Sequence, residues 1–402
     1  MKKLINVKCY YLIFLLLSLI ACQDPAKQTD KNSENSIETN IDAEKPTTTV
    51  AVEPVQNLPQ QFYKRLEGNI ASDPIIMHLI RIDTLLSGNF FYKKEKNIFS
   101  NAESTINRKA EVKIAAYNQN TANNIVLAGM FESKFVNTAR LEGTWNSKKT
   151  GDNSKLFLEE KYAVGSVPLH VINFEKELDC DEQEACASMK LNFPRIKKAG
   201  NEELANTMNA TINKYLLEML NDLASNPDET AANSIEEATA AFFNSFTEYG
   251  EQYGQMWSNE IDWEIHNNEH HILSFALNKY YYMGGAHPNY MSKNFNFDLN
   301  NGKVIQLTDI FEDNYKVVLE KLAEKELRMQ QDIPPNAPLT DFLFETELKL
   351  NENFYLTLES ITFIYDPYEI APYAFGTITL PIAFKDIKHI IKKDGLLGKM
   401  MK

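Results

Sequence analysis

Residues 256–299 read MWSNEIDWEIHNNEHHILSFALNKYYYMGGAHPNYMSKNFNFDL, and over their first ten residues apolar and polar side chains alternate. Trp257, Ile261, Trp263 and Ile265 fall on one side of an extended chain, Ser258, Glu260, Asp262 and Glu264 on the other. Such alternation marks a half-buried antiparallel strand, here with an acidic outer face. HHILSFALNKYYY continues as a second strand and NFNFDL as a third. Between them Gly284-Gly285 supplies positive φ at little steric cost, and Pro288 biases His287 toward extended geometry. The segment therefore reads as a chain reversal with His287 held at its end.

The period changes on either side of this stretch. Upstream, Leu204, Met208, Ile212, Tyr215, Met219 and Leu223 recur at steps of three and four, which predicts an amphipathic helix from Glu202 to Leu223. A second helix opens with the capping box Ser234-Ile235-Glu236-Glu237 and carries Ile235, Ala238, Phe242, Phe246 and Tyr249 on one stripe. Downstream, Asn301-Gly302 supplies a tight turn into KVIQL, and Thr308 or Asp309 caps one helix running through VVLEKLAEKELRMQQ. Two strands, FYLTLESITFIY and FGTITLPIAF, then precede a short amphipathic segment. Strands in clusters and helices in separate blocks argue α+β, since a parallel sheet would need them to alternate.

Earlier still, residues 59–162 contain short apolar runs separated by Asn, Gly, Ser and Lys, the pattern of several antiparallel strands. Gly88, Gly129 and Gly143 each stand two residues before an aromatic, and on a strand i and i+2 share a face. Each glycine is expected to make room for a ring and to permit strong curvature, giving a curved sheet or partial barrel with a packed aromatic core. Ahead of it, residues 23–58 are polar, rich in Thr, Asn, Glu and Pro, and free of aromatics. A flexible coil of that length reaches on the order of 30 to 35 Å. Residues 1–21 have a lysine-bearing start, a short apolar run and a small residue before Cys22, the features of a secretory signal. Leu19-Ile20-Ala21-Cys22 resembles the lipobox of bacterial lipoproteins, which implies lipidation of Cys22 and a membrane anchor in the cell envelope, on the periplasmic face of an outer membrane or at the cell surface. The expected organisation is a signal (1–21), a tether (22–58), a β-rich module (59–162), a helix-bearing companion domain (163–254) and a C-terminal α+β domain (255–396).

The chain carries 41 basic and 55 acidic side chains, a formal charge of −14. Three lysines and no acids lie in the signal, so its removal deepens the charge to −17. That balance argues against a nucleic-acid partner and fits either a basic partner or, more simply, a solvated acidic surface. Of four cysteines, Cys9 leaves with the signal and Cys22 is taken by lipid. Cys180 and Cys186 remain, an even pair in an exported chain and hence a disulfide. A metal site there would need a nearby histidine, and none is present. Adjacent His270 and His271, read as strand residues, point to opposite faces and cannot share an ion. No P-loop, dinucleotide fingerprint, GxSxG elbow or CxxC occurs, and no cofactor or metal is implied.

Two stretches stand apart, YYYMGGAHPNY and IYDPYEIAPYAFG. In the second, Pro367 and Pro372 force a rigid loop that brings Tyr365, Tyr368 and Tyr373 near Asp366 and Glu369. The phrase GGAHPN, the NFDL strand, the NGK turn, LTDIF and the later YDPYEIAPYAFG together resemble the extracytoplasmic domain shared by RsiV-type anti-sigma factors and PdaC-type peptidoglycan deacetylases. PRIKKAGNEELANTMNATINKYL resembles the companion domain that precedes it, so the likeness spans about Val167 to Lys393. It implies an extracytoplasmic module of a kind found in receptors for lysozyme-type muramidases and in enzymes whose catalysis sits elsewhere. The expected function is non-catalytic binding of a protein such as a muramidase, or of wall glycan, through His287, Asn289, Tyr365, Tyr368, Glu369 and Tyr373. The competing expectation is an envelope glycan or peptide hydrolase with Glu369 or Asp366 as general acid/base and His287 as partner.

Overall fold

The computed structural model describes residues 53–96, 98–119, 125–178, 180, 185–197, 201–221 and 231–401. The signal, Cys22 and nearly all of the tether lie outside these residues.

Eight antiparallel strands open the described chain: β1 (Gln61–Ile70), β2 (Asp73–Ile82), β3 (Leu85–Tyr92), β4 (Ile98–Ile106), β5 (Glu111–Gln119), β6 (Ile125–Asn137), β7 (Arg140–Ser147) and β8 (Asn153–Glu160). They follow one another around a closed barrel, and β1 pairs with β8 to complete it. The expected curved sheet thus closes fully, which leaves no unpaired edge. Its interior is packed: Phe90 stacks on Phe99 at 4.7 Å and meets Phe131 and Trp145 edge-on at 5.0 and 5.5 Å. The glycines act in two ways. A Cβ at Gly129 would lie 2.5 Å from the Trp145 ring, whereas at Gly88 and Gly143 it would strike the backbone of the neighbouring strand. Only the first makes room for a ring; the others permit close strand approach.

A five-stranded sheet follows, in the order β13-β12-β11-β10-β9. Its strands are β9 (Leu169–Leu178), β10 (Cys186–Ile196), β11 (Met256–Glu269), β12 (Ile272–Met283) and β13 (Asn289–Asp298). The Cys180–Cys186 disulfide closes the β9–β10 hairpin. β10 and β11 pair in parallel, so the chain crosses over between them through α1 (Glu202–Asn221) and α2 (Ile235–Ser245). Residues on both sides of position 254 consequently share one sheet and one core, with Met208, Ile212, Leu216, Phe242 and Phe246 against Trp257, Ile261 and Ile265. The Ser234 hydroxyl caps α2 by accepting from Glu237 N–H, while the Glu237 carboxylate receives Asn233 N–H. Buried Lys279 donates to the carbonyl of Met219 in the last turn of α1, where a cation meets the negative end of the helix.

His270 and His271 are not strand residues. Glu269 pairs with Ile272, and both histidines have positive φ (54° and 63°), so they form the two-residue turn of the β11–β12 hairpin, a position where Asn-Gly is usual. Three further expectations change. KVIQL makes only an isolated bridge, Phe297 to Val304. The helix expected from Thr308 is two, α3 (Leu307–Ile310) and α4 (Tyr315–Gln330): extended Phe311, bridged to Ile391, ends the first, and left-handed Asn314 (φ 70°) opens the second. FYLTLESITFIY folds back on itself as β14 (Phe354–Leu356) and β15 (Ser360–Tyr365), which β16 (Ile378–Ala383) completes into a three-stranded sheet. Leu319, Ala323 and Leu327 of α4 pack in the core that contains Ile361, Phe363 and Leu380 of this small sheet.

The outer face of the large sheet is partly covered. Asn296 Nδ2 donates to Phe354 O at 2.7 Å, and Leu356 N donates to Asn296 Oδ1 and Ser274 Oγ, so β14 is held across that face by side chains. The barrel docks through buried polar contacts. Arg65, 1 % exposed, grips both carboxylate oxygens of Glu269, and Asn89 Nδ2 donates to Ile265 O. Asn268 donates to the Tyr63 hydroxyl, which donates in turn to Nδ1 of His78, whose ring burial keeps neutral. No helix among the described residues is long and apolar enough to cross a membrane.

Candidate functional site

Two hairpin connections meet at one end of the sheets: residues 284–288 between β12 and β13, and 366–377 between β15 and β16. In the first, Gly284 has φ 81°, and a Cβ there would press within 2.8 Å of the Gln255 side chain. In the second, Glu369 N donates to Asp366 O at 3.0 Å, closing a four-residue turn over Pro367 and Tyr368. Proline second and positive φ third is the type II pattern, whose third position normally takes Gly or Asn. Here it is Tyr368, at φ 71° and 53 % exposed. A bulky side chain in that region is strained by roughly 1–3 kcal/mol, so the surrounding contacts must hold it.

Those contacts begin with Glu369. Its Oε2 accepts Asp366 N–H at 2.9 Å and its Oε1 accepts from Asn351 Nδ2 at 2.8 Å, so the carboxylate clamps the turn. Asp366 Oδ1 accepts Ser292 N–H at 2.9 Å, while Asn353 receives Asn294 N–H and donates to Ser292 O. These side chains satisfy the outward backbone groups of edge strand β13 and fasten the two sheets together. Burial outweighs the Ser292 hydrogen bond and pushes the Asp366 carboxyl up to about 7.

Across this seam the aromatic rings converge. His287 stacks on Tyr373 with centroids 3.9 Å apart, and Tyr368 stands 5.5 Å from Tyr373. The Tyr373 hydroxyl donates to Pro288 O at 2.7 Å. His287 Nδ1 lies 2.9 Å from Pro288 O, which can only accept, so Nδ1 carries a proton, and Nε2 hydrogen-bonds the Tyr368 hydroxyl at 3.3 Å. Tyr365 does not join them. It is 1 % exposed, its hydroxyl donates to Lys349 O, and it belongs to the core beneath the loop. Asn289 opens β13, half-buried and paired with Tyr281. Glu369 and His287, paired in the catalytic expectation, spend their hydrogen bonds on different partners.

The open part of the sheet's outer face lies beside the rings. Register places Glu260, Tyr280 and Tyr290 in one row and Asp262, Asn278 and Ser292 in the next, with Glu264 beyond. Asn278 donates to Asp262 and accepts from Ser292 Oγ at 3.0 Å, and Ser292 N–H reaches Asp366, so hydrogen bonds connect the two acids across three strands. Asp262 and Glu264 are exposed, and desolvation by the surrounding protein, reinforced by the neighbouring acids Glu260 and Asp262 respectively, raises both carboxyls above the usual carboxylate range. The alternation of residues 257–265 had placed these acids on the outer face. Among the described residues no three His, Cys, Asp or Glu side chains are grouped to hold a metal ion.

Known proteins bear on each half of this seam. Residues 180–290 match the family model for deacetylase PdaC, and residues 308–385 match that for a protein of unknown function, DUF3298. The peptidoglycan-N-acetylmuramic acid deacetylase PdaC of Bacillus subtilis (strain 168) is 27 % identical over 139 residues, 33 % of this chain. The match spans only 29 % of that relative's length. A crystal structure of a DUF3298 family member from Bacteroides fragilis aligns over 60 % of this chain and 99 % of its own with a TM-score of 0.50 and 23 % identity, a likeness of fold. A DUF3298 protein from Pseudomonas aeruginosa aligns over 57 % of this chain and 96 % of its own with a TM-score of 0.45 and 20 % identity. The 284–288 loop lies inside the first matched segment and the 366–377 loop inside the second, so the rings join the two. The C-terminal region of this chain therefore carries a PdaC deacetylase-like segment followed by a DUF3298 segment.

Proposed function

We propose that this chain is a cell-envelope binding module, lipid-anchored at Cys22, that holds wall glycan against the His287/Tyr368/Tyr373 surface. The observation that carries this reading is Tyr368, kept outward at positive φ by the Glu369 clamp beside a stacked His–Tyr pair. Aromatic faces with hydroxyl edges suit sugar rings, which offer apolar C–H faces and polar rims. The named substrate of the relative, peptidoglycan, supports the same ligand class. Co-sedimentation of the chain with purified wall fragments tests it, with Tyr368→Ala/Tyr373→Ala as the variant. Binding that survives the double substitution would reject this surface, and capture of a muramidase in place of wall fragments would assign it to a basic protein partner, which the net charge of −14 would steer.

A second reading, hydrolysis of envelope glycan or peptide, is favoured by Asp366, whose carboxyl stands near 7 where a general acid works best. Release of new reducing ends or amines from wall fragments, lost in Asp366→Asn, would support it. Intact fragments after prolonged incubation would reject it.

A further inference from the structure

We propose that a cleft of about 380 Å³ where the barrel meets the large sheet binds an organic phosphate monoester. Its charged lining is Arg65, Lys93, Lys96 and Lys161 with Glu67 and Glu269, none of its lining comes from the aromatic loops, and its volume is that of a small-molecule site. Four cationic side chains face two carboxylates, in a chain whose formal charge is −14. A positive recess is the unexpected feature of so acidic a protein.

The pairing shows which charges are available. Arg65 is spent: its guanidinium holds both oxygens of Glu269, donates to Glu67 at 3.0 Å and donates to Lys161 O at 2.5 Å. Lys93 pairs with Glu67, which Lys161 approaches only to 4.0 Å. Lys96 makes no ion pair with the described residues. Two positive charges, those of Lys96 and Lys161, are thus in excess, and a phosphate monoester carries about −1.5 to −2 at pH 7. Lysine ammonium groups suit phosphate as movable point charges. Buried Arg65 and Glu269 fix the back wall. Ile76, Phe91 and Leu358, each at most 6 % exposed, offer an apolar wall for the organic part. His270 reaches the rim from its left-handed turn, and burial lowers its pKa, so it presents a neutral ring with one donor.

Calorimetric titration of the full chain at low salt with phenyl phosphate, inorganic phosphate and phenol tests the site. Phenyl phosphate should saturate it, inorganic phosphate should bind at least about tenfold more weakly for want of the apolar contact, and phenol should not bind. Lys96→Ala/Lys161→Ala should weaken phenyl phosphate at least about tenfold with an unchanged circular dichroism spectrum, since both side chains reach solvent. Tyr368→Asn should leave the affinity as it is. Pelleting with vesicles containing phosphatidic acid identifies a lipid headgroup as the source of the phosphate if the double lysine variant abolishes it; absence of pelleting assigns the site to soluble esters. Failure of phenyl phosphate to saturate the chain, equal affinity in the double lysine variant, or loss of binding in Tyr368→Asn would each overturn the proposal.

Discussion

Replacing Tyr368 by Asn separates recognition from stability. Asn tolerates the left-handed conformation, so the substitution should recover about 1 kcal/mol of backbone strain. Against this, the ring is 53 % exposed and buries about half of its roughly 150–200 Å² side-chain surface, worth about 2 kcal/mol at most. Its hydrogen bond to His287, at 3.3 Å and exposed, adds only about 0.5 kcal/mol. The net loss should stay within about 1.5 kcal/mol, while wall-fragment affinity falls at least tenfold. Tyr365, three residues earlier, is the internal reference. At 1 % exposure, with a satisfied hydroxyl, its truncation to Ala should cost about 3–5 kcal/mol. Urea unfolding followed by tryptophan fluorescence gives both numbers. A cost for Tyr368→Asn equal to that of Tyr365→Ala would show that the ring is packed core, and the account of a side chain strained outward for contact would fail.

Other expectations follow from the same geometry. Asp366 has its folded-state carboxyl near 7, above the unfolded value near 3.9, so the folded state binds the extra proton and stability drains away as pH rises from about 4 to about 7. Asp366→Asn keeps the acceptor for Ser292 N–H, so its urea midpoint should exceed wild type at pH 7.5 and the difference should vanish near pH 4; an unchanged difference across that window would contradict the burial argument. Glu269→Ala strips buried Arg65 of its main partner and should cost about 3–5 kcal/mol, with proteolytic nicking between β8 and β9 as the barrel loosens. Cys180→Ser/Cys186→Ser opens a six-residue span and should cost about 2 kcal/mol, visible as faster hydrogen exchange in the β9–β10 hairpin. Trp145→Ala, in contact with Phe90 and Phe131, should lose about 3–5 kcal/mol with no change in wall binding.

Local pattern carried the elements where one physical preference dominated. The 3.6-residue stripe of α1, the alternation of β11 and the paired cysteines were all legible because each depends on neighbours within a turn or a strand. Legibility failed where a single residue overrode its surroundings. Extended Phe311 and left-handed Asn314 split a helix that the sequence predicts as one, and two histidines occupy a turn that favours Asn-Gly. At the candidate site, the loop tyrosines were visible as a group, but only packing separates Tyr365, in the core, from Tyr368, in solvent.

Sequence alone established the α+β class, the antiparallel strands, the cysteine pair and the two unusual loops, since propensity, periodicity and turn chemistry act over a few residues. Tertiary structure decided the rest. Closure of the barrel depends on β1 meeting β8 some 90 residues later, and the parallel β10–β11 pair on a crossover through two helices. His287 reaches Tyr368 across a separation of 81 positions because edge strand β13 takes its missing partners from Asp366 and Asn353. The shifted acids and the cation-lined cleft arise in the same way: desolvation and charge pairing are set by everything within several ångströms, whatever its distance along the chain.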